Sequence, residues 1–596
     1  MHLPSYLITA QFALKRTYRK LMNNILAPIT KLAFVVITIF ALGCNSDAIL
    51  TTVTSDDIYP KENRPINFHE NAENAQRGNI LTLANRGDPP AGFDPMRTSS
   101  IALHHIGGSI FGPGNLVRRC RTNMYLICPD LAKNWRATQD FKEWTFSIRH
   151  DVTWHDGTPF TAQDVKFWFD LATGNTNSAT AIRAPAYFKG ELGRIEKTEV
   201  LEFNRVRITL KDRSPHFLGV LANPRLKFAH PTHLMENRIK NGALGLSPLD
   251  IGLIGTGPFK FVSYAPGSLI QVRRNNDYWE KDALANRLPY LDGIDFVIMT
   301  NPTSMDAAIR TGRIDGGARG EGHYLSVERK KGYDNDSKSN VYYGRMQGGL
   351  FRLAFNVLRP GPWQDQRVRT AISLWIDKEA SIPSALGGFG YISPILSPSN
   401  PFTSSDFQTW PRFNPELKMK NRITAKDLMA QAGYEDGFTM THLCRGRIAI
   451  RCEFLQAQLA GLNINLKLDI VDEGSWNRSR IALDHDSQQG SFFTTPVPEG
   501  TESVFGRYSA NPDAYAKHED ETIQALYQRM RSTSSHTERV ALWRTLERYL
   551  ILEQVYVVPI AGTIQIVPFR SSVKGLPIPP EDGHTHTDFS TTWLSE

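Results

Sequence analysis

The sequence lacks the short motifs by which common catalytic sites are recognised. It has no Gly-x-Ser-x-Gly nucleophile elbow, no His-Glu-x-x-His zinc motif and no Gly-x-x-x-x-Gly-Lys-Ser/Thr phosphate loop. His155 and Asp156 are adjacent on a predicted turn, where neighbouring side chains rarely face one reacting atom. We therefore predict that the chain is not an enzyme and needs no cofactor.

Clustered positive charge is also scarce. The formal net charge is +8, but residues 1–43 hold five basic residues and no acidic one, which leaves 8 − 5 = +3 for the rest. Nucleic-acid binding normally requires basic residues concentrated on one surface. The charge balance therefore excludes nucleic acid as an expected partner.

The chain has no apolar run near the ~20 residues that span a bilayer. Its most apolar segment, Leu32 to Leu42, follows basic residues and leads into Gly43 and Cys44. This pattern predicts a lipoprotein signal peptide over 1–43, with Cys44 as the lipidated residue, rather than a buried apolar helix. Met1 and Met22 are both candidate starts. The polar residues 44–78 are expected to form a flexible tether that anchors the protein in the cell envelope, on the periplasmic side.

Cysteine is rare, and its spacing is informative. Beyond Cys44, four cysteines form two pairs that are each eight positions apart, Cys120 with Cys128 and Cys444 with Cys452. In an oxidising compartment such pairs favour two short-loop disulfides. Free buried thiols are one alternative, and a zinc site is a weaker one because zinc ligands usually come in closer cysteine pairs.

Strand and helix patterns are mixed along the whole chain, whose 596 residues exceed what one hydrophobic core can organise. Alternating residues predict strands at 79–84, 144–149 and 555–559. Helices are predicted after the Thr161/Asp164 capping box, over 367–377, from Thr424 to Gly433, and twice within 519–552. The predicted class is α/β with several lobes.

Several motifs then occur in a fixed order. They include Pro129-Asp-Leu-Ala-Lys-Asn-Trp135, Trp144-Thr-Phe-Ser-Ile-Arg149, His155-Asp-Gly-Thr-Pro-Phe-Thr-Ala-Gln-Asp-Val165, Gly255-Thr-Gly-Pro-Phe-Lys260, Asn276-Asp-Tyr-Trp279, Leu288-Pro-Tyr-Leu-Asp292 and Asp365-Gln-Arg-Val-Arg-Thr-Ala-Ile372. Together they resemble the family 5 extracellular solute-binding proteins, the oligopeptide, dipeptide and nickel-binding group of ABC importers. The resemblance covers roughly residues 79–565.

The resemblance implies a two-lobed periplasmic-binding-protein-like fold (type II, cluster C), with an extra small domain inserted in the first lobe. The expected boundaries are 79–104, 233–345 and 554–596 for lobe I, 105–232 for the inserted domain and 346–553 for lobe II. A monomer is expected to capture a peptide or other small polar ligand between the lobes and deliver it to an ABC permease and its ATPase in the inner membrane. A signalling or chaperone-type binding protein on the same fold is the rival interpretation.

Peptide-binding relatives often hold the ligand's ammonium group with an aspartate that follows an aromatic-rich strand. The matching stretch here has Thr494, Thr495 and Pro496, so Glu499 or Glu502 is the predicted substitute. A modified peptide, an opine-like conjugate, an oligosaccharide or a metal chelate therefore stays open as the ligand. The remaining predicted binding residues are mainly aromatic: Ser99, His104, Tyr391, Trp410, Trp476, Phe492 and Phe493. His104-His105 and His584-Thr-His586 also offer metal-binding alternatives, but no metal site is predicted.

Overall fold

A computed structural model describes residues 50–51, 73–98, 100–112, 115–121, 126–174, 192–243, 246–317, 327–336, 341–489, 492–493, 516–576 and 589–595. The chain divides into two compact units, Met1–Thr51 and Thr52–Glu596. In the first unit the structure describes only the short strand β1, Leu50–Thr51. The predicted signal peptide and Cys44 lie outside the described residues.

The second unit alternates strands and helices throughout. Its described strands are β2 Ile80–Asn85, β3 Val117–Arg119, β4 Ile127–Pro129, β5 Ala132–Thr138, β6 Glu143–Ile148, β7 Ile195–Leu201, β8 Arg205–Leu210, β9 Phe259–Ala265, β10 Leu269–Arg274, β11 Gly293–Ile298, β12 Gly316–Gly317, β13 Val341–Phe355, β14 Gly390–Tyr391, β15 Phe438–Arg445, β16 Ile464–Val471, β17 Ser487–Gln488, β18 Phe492–Phe493, β19 Val557–Arg570, β20 Val573–Lys574 and β21 Trp593–Leu594. Its described α-helices are α1 Ile101–Phe111, α2 Ala162–Thr173, α3 Phe217–Leu221, α4 Thr232–Lys240, α5 Pro302–Arg310, α6 Val327–Asp334, α7 Gln366–Trp375, α8 Lys378–Ala385, α9 Lys418–Gln431, α10 Ala449–Leu459, α11 Glu473–Ala482, α12 Glu521–Ser532 and α13 His536–Arg548.

Most predicted elements form close to their expected positions. Thr161 and Asp164 form the predicted reciprocal capping box at the start of α2, and the region 519–552 contains the two helices α12 and α13. The predicted start of a helix at Thr424 is wrong, because α9 begins at Lys418. The capping residue is instead Asn414, whose side chain accepts from the Glu416 amide in a short 3₁₀ turn that runs directly into α9.

Two large antiparallel or mixed sheets organise the second unit. Strands β5, β6, β8 and β7 lie side by side in that order and are antiparallel. The larger sheet has the order β16-β15-β17-β13-β19-β12-β2-β11-β10-β9, with β14 paired to β19 and β18 paired to β13. In one half of this sheet β2 is parallel to β11 and β12. In the other half β15 is parallel to β16 and β17.

The long strands β13 and β19 connect these two halves. They pair antiparallel from Val341↔Arg570 to Ala354↔Val557, with register shifts between Gln347 and Leu350 and between Phe351 and Arg352. The chain therefore crosses from one half to the other as a two-stranded ribbon with an irregularity near its middle. Bulges of this kind locally bend a strand pair and increase its twist.

The four largest hydrophobic cores among the described residues flank the sheets. Core 1 packs the four-stranded sheet against α2 and α3 and includes Trp144 and Phe217. Core 2 covers β2, β10 and β11. Cores 3 and 4 lie on the β13–β17 half, core 3 against α7, α9 and α10 and core 4 against α12 and α13. Separate cores are expected for a chain of this length, because a single core stops growing at about 250–300 residues.

A buried ion cluster joins core 1 to the β9–β11 region. Glu280 is 7% exposed and accepts hydrogen bonds from Arg121 at 2.6 and 3.1 Å, from Arg118, and from the Tyr278 hydroxyl at 3.0 Å. Arg121 also donates to Ser590 Oγ at 2.9 Å. Burial alone would raise the pKa of Glu280, but Arg118 and Arg121 together hold that pKa well below its usual range. The carboxylate is therefore charged and fixes segments that are distant in sequence.

Two disulfides close short loops. Cys120 is bonded to Cys128 and Cys444 to Cys452, with Cα–Cα distances of 5.0 and 6.4 Å. The first joins β4 to the residue directly after β3, within their hairpin, and the second ties the end of β15 to α10. In the described part of the chain no helix is both long and apolar enough to cross a membrane. Ala75 and Gly78, which were assigned to the tether, pack in the folded body, where the Gly78 amide donates to Tyr290 O at 3.0 Å.

Replacing Glu280 with glutamine should strongly destabilise the fold, because it removes the carboxylate that is hydrogen-bonded to two buried guanidinium groups. We expect the free energy of unfolding to fall by about 3–5 kcal/mol at pH 7. The pKa of Glu280 is lower in the folded protein than the value of about 4.5 expected in the unfolded chain. The ionised carboxylate therefore adds to the free energy of unfolding above about pH 4.5, and this contribution is lost progressively as the pH falls below 4.5. Urea unfolding of E280Q and wild type at pH 7 and pH 4 measures both effects.

Glu143→Gln is the matched control for E280Q. Glu143 is 37% exposed and its contact with Arg207 is 3.8 Å, so its loss should cost less than about 1 kcal/mol. Equal destabilisation by E280Q and E143Q would contradict the assigned role of the buried cluster.

Candidate functional site

The carboxyl ends of parallel strands mark where open α/β sheets usually bind ligands. Each half of the large sheet has such an edge. In the β2 half, strand β2 ends at this edge with Asn85. The side-chain amide of Asn85 donates to Ala102 O, in the first turn of α1, at 3.1 Å. In the β15 half the edge is reached at Arg445 and Val471. The ribbon of β13 and β19 joins the two halves.

An arginine–tryptophan stack lies at the second of these edges. The guanidinium carbon of Arg445 is 3.7 Å from the ring centroid of Trp476, and that of Arg480 is 5.2 Å from the same centroid. Trp476 is fully buried, and Arg445 and Arg480 are 6% and 7% exposed. Trp476 and Arg480 come from α11, whereas Arg445 ends β15. The indole therefore holds two guanidinium groups at one point of the edge, and desolvated cation–π contacts of this kind are worth about 2 kcal/mol.

The local sequence explains why Arg445 is held in place. It follows Cys444 directly, and the disulfide to Cys452 fixes the loop between β15 and α10. The Gln489 amide donates to Leu443 O at 3.1 Å, so the chain leaving β17 stays beside the end of β15. Gln489 is itself fully buried. Arg445 is thus positioned by a covalent link on one side and a strand neighbour on the other.

Buried histidines support this region from the inner side of the sheet. His442 Nδ1 lies 2.8 Å from Ser487 Oγ, and burial followed by the charge of His485 lowers the pKa of His442 to about 3. Burial and Lys517 lower the pKa of His485 to about 4. Both rings are therefore neutral at physiological pH. Asp486 accepts from the Thr441 amide at 2.8 Å and from its hydroxyl at 2.6 Å.

A single row of residues crosses the middle of the ribbon. Phe492 pairs with Leu350, Leu350 with Gly562, and Gly562 with Tyr391, so the row runs through β18, β13, β19 and β14. The Tyr391 ring lies directly on the Gly562 backbone, since a Cβ atom at Gly562 would be 2.2 Å from Tyr391 Cζ. Thr563 Oγ1 donates to Gly349 O at 2.8 Å beside this row. Glycine at 562 is required by this close approach.

The structure brings some predicted site residues together and separates others. Tyr391 and the backbone of Phe492 share the ribbon row, and Phe493 follows in the same short strand, paired with Gly349. Trp476 is the centre of the arginine stack. Trp410 is 4% exposed and packs in core 4 beside Phe413, with Arg548 over its ring at 4.5 Å.

His104 lies on α1, the helix whose first turn is bonded to Asn85 at the end of β2, and its ring is 5.7 Å from that of His105. Among the described residues no group of three His, Cys, Asp or Glu side chains could hold a metal ion. Ser99, Glu499, Glu502, His584 and His586 lie outside the described residues. Sequence analysis missed Arg445 and Arg480; the one available signal was an arginine placed directly after a disulfide cysteine at a strand end.

Comparison with known proteins identifies the family. The model for bacterial extracellular solute-binding proteins, family 5, matches residues 127–511, more than half of the chain. A putative ABC transporter peptide-binding protein of Brucella ovis is 28% identical over 363 residues, which cover 59% of this chain and 62% of that relative. Di/tripeptide-binding protein 1 of Pseudomonas aeruginosa is 24% identical over 82% of this chain and 90% of its own.

Solved structures share the fold. The periplasmic binding protein DppA of Helicobacter pylori, in complex with the peptide STSA, superposes with a TM-score of 0.72 at 22% identity and covers 88% of this chain and 99% of its own. The binding protein AgaA of A. tumefaciens R10, in complex with agropinic acid, has a TM-score of 0.68 at 22% identity over 87% of this chain and 99% of its own. These likenesses confirm the predicted two-lobed α/β fold. The ordered motifs, the family model and the fold agree, and the chain belongs to family 5 of the bacterial extracellular solute-binding proteins.

Proposed function

We propose that this protein is the extracytoplasmic substrate-binding component of an ABC importer. It captures a peptide or peptide-like ligand between the two halves of the large sheet and delivers it to the permease and its ATPase. The observation that carries this proposal is the pair of parallel-strand edges joined by the β13–β19 ribbon, because ligand edges on two bodies linked by strands allow capture by closure. The peptide named for the Pseudomonas and Helicobacter relatives supports the ligand class.

The arginine–tryptophan stack supports recognition of a carboxylate. A guanidinium group presents paired donors that match a carboxylate, and an indole face beneath it keeps its plane fixed. Arg445 and Arg480 give the described edge a positive character. We propose that Arg445 binds the carboxylate of the ligand and that Tyr391, on the ribbon, contacts its apolar part. A rigid aromatic ring stacks on a ligand at low entropic cost.

A non-peptide anionic ligand is the second candidate. It is favoured by the two arginines at the edge together with Thr494, Thr495 and Pro496 where the family pattern has an aspartate. The agropinic acid bound by AgaA is a ligand of this kind on the same fold. A carboxylate subsite is common to both candidates, whereas an ammonium subsite is needed only for the peptide.

We also propose that Cys44 is lipidated after removal of residues 1–43, so that the protein acts as a monomer tethered to a membrane. The run from Leu32 to Cys44 supports this. Cys44→Ala should move the protein from the membrane fraction to the soluble fraction of cells that express the full chain. Cys452→Ala, which retains Cys44, is the control and should stay with the membrane. Retention of C44A in the membrane fraction would contradict the anchor.

Native mass spectrometry of protein purified without denaturation tests the transport proposal. We expect mass adducts of small ligands in one-to-one ratio, which are released unchanged on denaturation. A heterogeneous set of peptide masses supports peptide uptake, and one non-peptide mass supports the second candidate. A protein that binds nothing, or that converts a released ligand to product, contradicts the proposal.

The carboxylate assignment is tested with di- and tripeptides, each as the free acid and as the C-terminal amide. In the wild type the amides should bind about 10- to 100-fold more weakly, the range expected for loss of a charged hydrogen bond. Arg445→Met should weaken the acids by a similar factor and leave the amides unchanged. Titration calorimetry of the four combinations measures the coupling.

Arg367→Met is the control for R445M. Arg367 is on α7 in the same half of the sheet and is 48% exposed, where it pairs with Asp365. Binding by R367M should match the wild type. If acids and amides bind equally to the wild type, Arg445 does not hold a ligand carboxylate.

A further inference from the structure

Besides the β13–β19 ribbon, a second contact joins distant parts of the molecule. Arg213 Nε donates to Ser532 O at 2.9 Å, and His216 Nε2 lies 2.8 Å from Thr533 O. Arg213 and His216 belong to the segment between β8 and α3, beside core 1. Ser532 and Thr533 form the turn between α12 and α13, beside core 4. The part of the molecule around core 1 and the part around core 4 are therefore joined by these hydrogen bonds as well as through the β13–β19 ribbon.

The core 1 side of this contact is rigidly held. His216 is 4% exposed and directly precedes Phe217, whose ring lies 6.0 Å from that of Trp144. Arg213 donates a second hydrogen bond to Gln139 O at 3.2 Å and its guanidinium lies 4.9 Å from the Phe141 ring. Both donors are therefore aimed by the fold of core 1.

The core 4 side is equally fixed. The Thr533 amide donates to Arg529 O at 3.0 Å, and its hydroxyl donates to Glu538 at 2.6 Å. Ser535 caps α13 through the Glu538 amide. The accepting carbonyl groups thus belong to a turn whose own hydrogen bonds hold its shape.

The charged groups around His216 are predominantly cationic. Arg539, which is 1% exposed, and His536 face it from α13. Glu538, the acid of that turn, is engaged by Thr533 and by Arg529 at 3.6 Å. Arg213 lies on the same segment as His216. Strand β3, which packs against α3, carries Arg118 and Arg119. A protonated imidazole would add a buried positive charge to this set.

We propose that Arg213 and His216 form a latch that holds core 1 against the α12–α13 turn only while His216 is neutral, so that acidification opens the molecule. Burial, followed by the charge of Arg539, holds the pKa of His216 well below its ordinary value of about 6.5. The latched form therefore binds fewer protons than the open form, in which His216 is exposed.

The sign of the pH dependence follows from this difference. The latched form is fully favoured above about pH 6.5 and is weakened as the pH falls below that value. Between pH 7.5 and 5.5 the ratio of latched to open molecules should fall about tenfold, because an exposed histidine is then about ten parts protonated to one part neutral.

Small-angle X-ray scattering of the full chain, after retained ligand has been removed by partial unfolding, dialysis and refolding, tests the latch. The radius of gyration of the wild type should increase from pH 7.5 to pH 5.5. In His216→Gln the amide nitrogen can still donate to Thr533 O but cannot gain a proton, so this variant should stay compact at both pH values. His150→Gln changes an exposed histidine near core 1 and should expand like the wild type.

Arg213→Met supplies a second, independent variant. It removes the bond to Ser532 without removing a titrating group, so it should be more expanded than the wild type at pH 7.5. The latch is overturned if the wild type has the same radius at both pH values, if H216Q expands as the wild type does, or if R213M is as compact as the wild type. Circular dichroism at both pH values establishes that each variant is folded. No step depends on the identity of a ligand, so failure here leaves the transport proposal intact.

Discussion

The pairing of β13 with β19 is the constraint on which the rest of the structure depends. These two strands belong to both halves of the sheet. The other strands of each half extend outward from them in the order of hydrogen-bonded neighbours. The ribbon changes register twice near Leu350, where β14 and β18 attach on its two sides. A regular ladder would resist bending, whereas a bulged ribbon can bend locally without loss of pairing at its ends. In the proposed capture by closure, this part of the ribbon is where the two halves move relative to each other.

The proposed capture of a ligand depends on what each half presents beside this ribbon. One half presents the end of β2 and the start of α1, and the other presents Arg445 on the face of Trp476. The row that contains Leu350, Gly562 and Tyr391 lies on the ribbon itself. Rigid recognition groups on two bodies and a bendable link between them are the requirements for capture by closure. The buried Glu280 cluster and the two disulfides are cross-links within these bodies and not between them, so the proposed closure leaves them intact.

Much of this architecture was predictable because it depends on local rules. The capping box at Thr161 and Asp164 needs only residues three positions apart, and the ordered motifs identified the family across most of the chain. Helix α9 was placed too late because Thr424 resembles a cap, while the true cap at Asn414 acts through a separate 3₁₀ turn. Arg445 and Arg480 were missed because they meet Trp476 only when β15 and α11 come together. The contact of His216 with Thr533 spans 317 positions and leaves no local pattern.

The most direct test is a crystal structure of the protein with the ligand that it retains on purification. We expect ligand density between the two parallel-strand edges, with a ligand carboxylate at Arg445 and an apolar part against Tyr391. We also expect the two halves to be closer together than in crystals of the ligand-free protein, with the change of backbone angles concentrated near Leu350 and Gly562. Ligand density away from these edges, or identical domain positions with and without ligand, would contradict the proposed capture by closure.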